Sequence, residues 1–268
     1  MNDYTLIYFM KFIKSNEIGY LLNLLENYDK LEYVCKYKYR NELKIIDCSN
    51  KYTIEEKNNK YILIKGEKIN NNYFNFCNKI KKVFIDNSVK SIGKSAFSDC
   101  TYLTTITLPN GIESIDNYAF TYCKLLTKIT LPNSLKSIGL SAFTGCESLT
   151  SITLPNCIEL IDNYAFTYCI SLTTITLPHS LKSIGRGSFL NCRFLTTIIL
   201  PNSLKSIGPS AFLYCGSLTS ITLPNSLKSI GEAAFYFCES LITITLPKKF
   251  KNNNELIVNN KNTKFIYR

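Results

Sequence analysis

What this chain of 268 residues lacks narrows its functions before any motif is considered. It has no run of eighteen or more apolar residues, so it offers no helix able to span a bilayer. It has one histidine and no Cys-x-x-Cys pair, which leaves no zinc site of ordinary ligand spacing. No glycine-rich phosphate loop is present. No carboxylates pair on a common face and no nucleophile stands beside a base, so an enzyme is not expected, and neither is a cofactor or a metal. The opening stretch MNDYTLIYFMKFIKSNE is a poor signal peptide. It has an acid at Asp3, no basic leading region, and Lys11 and Lys14 inside a short apolar run.

What is present is repetition. LPNSLKSIG occupies residues 131–139, 200–208 and 223–231, and LPHSLKSIG occupies 177–185. Leu131, Leu154, Leu177, Leu200, Leu223 and Leu246 stand 23 residues apart, and Leu108 and Ile85 extend the register backwards. A fixed period in this range marks a stacked repeat array. Seven good copies cover 85–245, and a degenerate first repeat covers 62–84, with Phe74, Cys77, Ile80 and Val83 in register. Residues 1–61 form a non-repeat N-terminal part. Residues 246–268 form a degenerate C-terminal capping repeat with a basic tail.

Positions are numbered here one to twenty-three from each leading Leu or Ile. Position eight is Ile in every good copy, thirteen Phe, sixteen Cys, nineteen Leu and twenty-two Ile. Such invariance follows when each repeat is one coil and equivalent side chains stack into columns, since a close-packed column accepts one shape. The stretch LTTITLP alternates as a strand does, with Leu172, Ile175 and Leu177 inward and Thr174 and Thr176 outward. Gly at position nine, or Asp116 and Asp162, reads as a helix N-cap, and Pro209 and Glu232 suit a first helical turn. A short helix or 3₁₀ turn is therefore expected over GPSAFLYC.

The pattern L-P-x-x-L-x-x-I-G-x-x-A-F-x-x-C-x-x-L-x-x-I-x resembles the BspA-like leucine-rich repeats of bacterial surface proteins and parasitic protists, and the likeness covers about two-thirds of the chain. The resemblance implies a leucine-rich-repeat solenoid with a parallel β-sheet on its concave face and short helix or 3₁₀ turns on the other side, used for binding another protein. The sequence departs from commoner leucine-rich repeats at their Asn/Cys ladder position. Ser134, Ser180, Ser203 and Ser226 stand there instead.

Eight of the eleven cysteines share position sixteen, from Cys77 to Cys238. They read as a column of small buried residues. Rungs ~5 Å apart lie within reach of bridging, so an oxidising compartment would threaten mispairing and a cytoplasmic one is expected. The lone His179 reads as an exposed replacement. The candidate partner-binding face is the outward strand row: Thr105, Thr107, Lys128, Thr130, Ser151, Thr153, Thr174, Thr176, Thr197, Ile199, Ser220, Thr222, Thr243 and Thr245. Ice binding by its T-x-T pairs is disfavoured because Lys128 and Ile199 break the columns.

Net charge is +11, yet residues 85–247 hold ten Lys or Arg against nine Asp or Glu. No specific nucleic-acid signal emerges from the repeats. Position six reads Lys90, Glu113, Lys136, Glu159, Lys182, Lys205, Lys228. The first five can pair along the column. Lys182, Lys205 and Lys228 form a candidate basic edge for an acidic protein or an anionic membrane surface. Within the N-terminal part, NEIGYLLNLLENYDKLEYVCKYKYRNEL reads as two amphipathic helices that cap the first coil. VCKYKYRNEL also resembles the end of an F-box, without the usual leading Leu-Pro. Two rivals therefore stand beside a general interaction scaffold: a cell-surface adhesin, and an intracellular adaptor with a recruiting module.

Overall fold

A computed structural model describes residues 43–47, 51–56, 59–64, 67–77, 80–253 and 257–268. The expected helical cap and the F-box-like stretch fall outside them, apart from strand residues at their end. Over the described residues the chain is a parallel β-solenoid of about eight coils with almost no helix. The described part begins with β1 (Leu43–Asp47), β2 (Lys51–Glu56) and β3 (Asn59–Ile64), joined antiparallel. β3 then pairs parallel with Lys82–Ile85, the strand of the first coil.

Each coil has three walls. The first is a short strand at positions twenty-one to twenty-three, such as Thr105–Thr107, paired in register with Lys128–Thr130 one repeat on. The second is a two-residue strand at positions seven and eight. Ser183–Ile184 pairs with Ser206–Ile207, and that with Ser229–Ile230. The alternation that places Ile inward in both walls is the period of two of any strand.

The third wall, positions ten to sixteen, corrects the sequence reading: it is a run of turns, not a short helix or 3₁₀ turn. Position nine does not cap a helix either, since Asp116 Oδ1 accepts from Asn117 N–H, the very next residue. The reason is spacing. The Phe rings of position thirteen stack at 5.1–5.6 Å from coil to coil, whereas a helix is about 10–12 Å across. Helices on every coil would spread that side apart.

Instead, positions eleven and fifteen adopt left-handed backbone in all eight coils: Tyr118 and Tyr122 at φ 59° and 56°, Tyr164 and Tyr168 at 58° each, Ser210 and Tyr214 at 55° and 62°. The reversals aim every second N–H at the next coil. Phe120 N–H donates to Ala142 O and Phe143 N–H to Ala165 O, each at 2.8 Å. The N–H groups between them close local turns, as Cys123 N–H does onto Phe120 O. A left-handed residue with a side chain costs ~1–2 kcal/mol, and the gain is a wall that can repeat at strand spacing.

The core is columnar. The rings of Phe97, Phe120, Phe143, Phe166, Phe189, Phe212 and Phe235 are fully buried, between columns of Ile, Leu and Cys. Each ring burial contributes ~1.5–3 kcal/mol. Phe74 of the worn first coil joins the same stack. The far end is closed by Lys264–Tyr267, parallel to Thr243–Leu246, and by side chains standing in for a missing coil. Asn259 Oδ1 accepts Phe237 N–H at 2.7 Å, and Arg268 Nη2 donates to Leu223 O at 3.1 Å. These satisfy groups that an open end would leave unpaired.

Candidate binding face and its polar ladders

The residues of the strand face fall where the period of two puts them. Thr105, Thr107, Lys128, Thr130, Ser151, Thr153, Thr174, Thr176, Thr197, Ile199, Ser220 and Thr222 are exposed on the first wall. Thr243 and Thr245 are half-buried, because Lys264 and Ile266 stand opposite them on the closing strand. The face is not one continuous ladder. Pairing lapses between Lys128–Thr130 and Ser151–Thr153, where Thr150 N–H reaches Thr127 O only at 3.5 Å. It lapses again around Thr197–Ile199, held to the array at this wall by a single bridge from Thr174 to Thr197. A groove of about 820 Å³ opens at this second seam, lined by His179, Thr197, Ile199, Ser220, Thr222 and Arg268 among others. Ile199 is 85% exposed there. The sequence names Ile199 both as a member of this face and as a break in its threonine column, and gives no sign of the groove.

Polar ladders fix the coils to one another. Ser134, Ser180, Ser203 and Ser226 hydroxyls donate to the position-five carbonyl of the preceding coil at 2.6–2.7 Å. Serine thus performs the ladder role that the resemblance left open. Gly111 and Cys157 occupy that position in two copies, and Cys157 is exposed. Asn117 and Asn163 Oδ1 accept the N–H of Leu140 and Arg186 in the next coil, at 2.8 and 2.7 Å.

The cysteine column also carries polar contacts, which burial alone does not announce. Cys100, Cys123, Cys146, Cys169, Cys192, Cys215 and Cys238 each donate S–H to the Phe carbonyl of the coil before, at 3.1–3.3 Å. All described cysteines are unbridged. Burial pushes the thiols of Cys100, Cys169 and Cys238 up to about 12, and raises Cys123, Cys146, Cys192 and Cys215 well above the ordinary value. They are therefore poor nucleophiles. Among the described residues no cluster of His, Cys, Asp or Glu could hold a metal ion, and no helix is long and apolar enough to cross a membrane.

Position six is partly paired. Lys136 meets Glu113 and Lys182 meets Glu159, each at 2.6 Å. The hydrogen bond from Lys136 holds the Glu113 carboxyl below its usual range. Lys182 of the candidate basic edge is thus neutralised, while Lys205 and Lys228 are exposed and carry no ion pair among the described residues.

This geometry has counterparts of known structure. A leucine-rich cell surface protein from Faecalibacterium prausnitzii superposes with a TM-score of 0.60 at 23% identity, over 86% of this chain and 78% of that one. The T. pallidum leucine-rich repeat protein superposes with a TM-score of 0.52 at 25% identity, over 85% of this chain and 99% of that one. No curated protein sequence matches. The family model of the BspA type leucine rich repeat region matches six copies, over residues 67–169 and 159–267. With three walls per coil, a phenylalanine stack and a repeat that this model matches across most of its length, the chain belongs to the BspA-type leucine-rich repeat family.

Proposed function

We propose that the chain is a non-enzymatic protein-interaction scaffold whose partner docks on the strand face. Leucine-rich repeat proteins generally act in protein interaction or at surfaces and are typically without catalytic function. The observation that carries this reading is the exposed row of short hydroxyl side chains from Thr105 to Thr222, repeated on each strand over a fully packed core. Short side chains lose little rotamer freedom when a partner covers them. Ile199 and the groove beside it supply an apolar anchor within an otherwise polar strip. The test is Thr153→Arg with Thr174→Arg. Partner capture by a photo-crosslinker at Thr176 should be lost while the unfolding midpoint is kept. Capture that survives both substitutions removes the strand face from consideration.

Lys205 and Lys228 support a subsidiary contact with an acidic protein or anionic lipid, since they face solvent in adjacent coils with no ion pair among the described residues. Such a contact weakens as salt rises. Lys182, Lys205 and Lys228 replaced by Glu should abolish it, and binding indifferent to both salt and the replacement dismisses it. The column of unbridged thiols supports a reducing, cytoplasmic location over a cell surface. Labelling a tagged chain in intact against permeabilised cells decides between them.

A further inference from the structure

The strand that closes the far end has an outer edge of its own. Lys264–Tyr267 pairs with Thr243–Leu246 on one side and, among the described residues, with no strand on the other. Lys264 N–H donates to Ile242 O at 2.7 Å and Arg268 N–H to Leu246 O at 3.2 Å, so residues 264, 266 and 268 turn their backbone groups toward the preceding coil. Alternation then turns Phe265 N–H and C=O away from it. There they meet no partner among the described residues. Backbone groups left open along a strand edge are a template for one more strand.

The side chains around this edge select what can add to it. Residues 246–268 hold six Lys or Arg and a single acid, Glu255. Lys264 stands at one end of the strand. Arg268 stands at the other, beside Lys248, whose N–H donates to Arg268 O at 3.2 Å. Lys251 Nζ lies 6.0 Å from the centre of the Tyr267 ring. All four bases are exposed and none has an ion pair among the described residues. Between Lys264 and Arg268, on the outer face, Ile266 is 43% exposed. On the inner face half-buried Phe265 stands opposite Ile244 and continues its column.

Charge on an edge strand also keeps copies of a chain apart. That role asks for no exposed isoleucine at the middle of the row. Two copies meeting along this edge would crowd six bases against six. Head-to-tail contact with β1, which carries Lys44 and Asp47, finds no acidic surplus there. A nucleic acid or an anionic lipid answers the charge but lacks the alternating donors and acceptors of a strand. A peptide backbone with acidic side chains answers both.

We infer that the outer edge of Lys264–Tyr267 binds an extended acidic segment of another protein, which adds a strand to the sheet with acidic side chains beside Lys264 and Arg268 and an aliphatic one between them beside Ile266. The inference shares with the proposed function only that the partner is protein; the surface is a different one.

The probe is a nine-residue peptide with valine at its centre, a glutamate two residues to either side and β-branched residues between, followed by fluorescence anisotropy against the full chain. Saturable binding is expected. Lys264→Glu with Lys248→Glu should weaken it at least tenfold, with an unchanged thermal midpoint because both side chains are exposed. Phe265→Pro removes the outward N–H and leaves the bonds to Thr243–Leu246 in place. It should bind at least tenfold more weakly than Phe265→Val, which loses the ring but keeps the N–H. N-methylation of one alternate set of peptide residues should abolish binding, and of the other set spare it, because a single edge of the peptide meets the sheet. Thr153→Arg with Thr174→Arg should leave binding intact, as should Lys205→Glu with Lys228→Glu. Equal binding by the two N-methylated peptides, by the Lys264 and Lys248 variant, or by Phe265→Pro and Phe265→Val overturns the inference. So does loss of binding in either of the other two variants, tighter binding of a single-stranded oligonucleotide or of vesicles rich in anionic lipid, or an assembly of the chain that Phe265→Pro abolishes. Binding of the peptide together with failure of partner capture at Thr176 overturns the strand-face reading alone.

Discussion

The Cys169 thiol donates to the carbonyl oxygen of Phe143, 3.2 Å away in the preceding coil. That oxygen already accepts Cys146 N–H, so the thiol adds a second bond to a carbonyl at the heart of the stack. Position sixteen therefore needs a small apolar residue that can also donate weakly, and cysteine meets both demands. Cys169→Ala should cost about 1–2 kcal/mol through a small cavity and the lost contact. Chemical denaturation checks it. A stability equal to that of the original chain would make the column mere filler.

The same burial predicts a pH dependence. Cys100, Cys169 and Cys238 have folded values of about 12 against an ordinary 9.0. The folded state thus holds its protons where the unfolded chain releases them. Their contribution is fully present below about pH 9 and is lost progressively between there and about pH 12. Urea midpoints measured from pH 8 upward should fall, and fall less steeply in Cys169→Ala. In the folded protein at pH 8, exposed Cys157 should react with a thiol reagent while the buried column thiols from Cys100 to Cys238 react only after unfolding.

Much of this was legible in the sequence because stacked columns repeat it. Ile161 and Thr174 show how far that goes: position eight and the outward strand position were assigned from period alone, and Ile161 is 1% exposed while Thr174 faces solvent. The third wall was misread for a physical reason. Ala142, Phe143 and Cys146 have the spacing of a helix face, and local pattern cannot distinguish a helix from turns whose N–H groups go to Ala165 and its neighbours 22 residues on. The left-handed positions carry tyrosine or serine as readily as glycine, so they gave no signal. The groove beside Ile199 escaped because it arises from pairing that fails.

Ile161→Asp should place an unpaired carboxylate in the packed column and cost several kcal/mol. Thr174→Ala on the outer face should cost well under 1 kcal/mol. Denaturant midpoints compare the two directly, and equal shifts would contradict the inward and outward assignment.

The serine ladder allows a test in both directions. Ser203→Ala removes the hydroxyl bond to Leu181 O, 2.7 Å long, and should cost about 1 kcal/mol. Cys157→Ser puts a hydroxyl at the same position of a coil that lacks the rung. It should donate to Leu135 O, the equivalent carbonyl, and stabilise by roughly 0.5–1 kcal/mol. A neutral Cys157→Ser alongside a costly Ser203→Ala would mean that the rung depends on its coil and not on the position.

Gly139 and Gly216 separate space from flexibility. A Cβ on Gly139 would lie 2.7 Å from Asn117 N and 2.9 Å from Asp116 C, and would also collide with Asn117 Oδ1. The backbone there is held by Gly139 N–H on Ile115 O at 2.9 Å, so the coils cannot part to admit a methyl without losing bonds on both sides. Gly139→Ala should therefore cost about 2–3 kcal/mol, in the range of overpacking. Gly216 has open space around its Cα, and Gly216→Ala should be neutral or stabilise by about 0.4–1 kcal/mol by restricting the unfolded chain. Adding Asn117→Ala to Gly139→Ala removes the side-chain collision but leaves both backbone collisions. Little rescue is therefore expected in thermal unfolding. Full rescue would show that the glycine column exists to seat the asparagine ladder, and that the coils can separate by the few tenths of an ångström a methyl group needs.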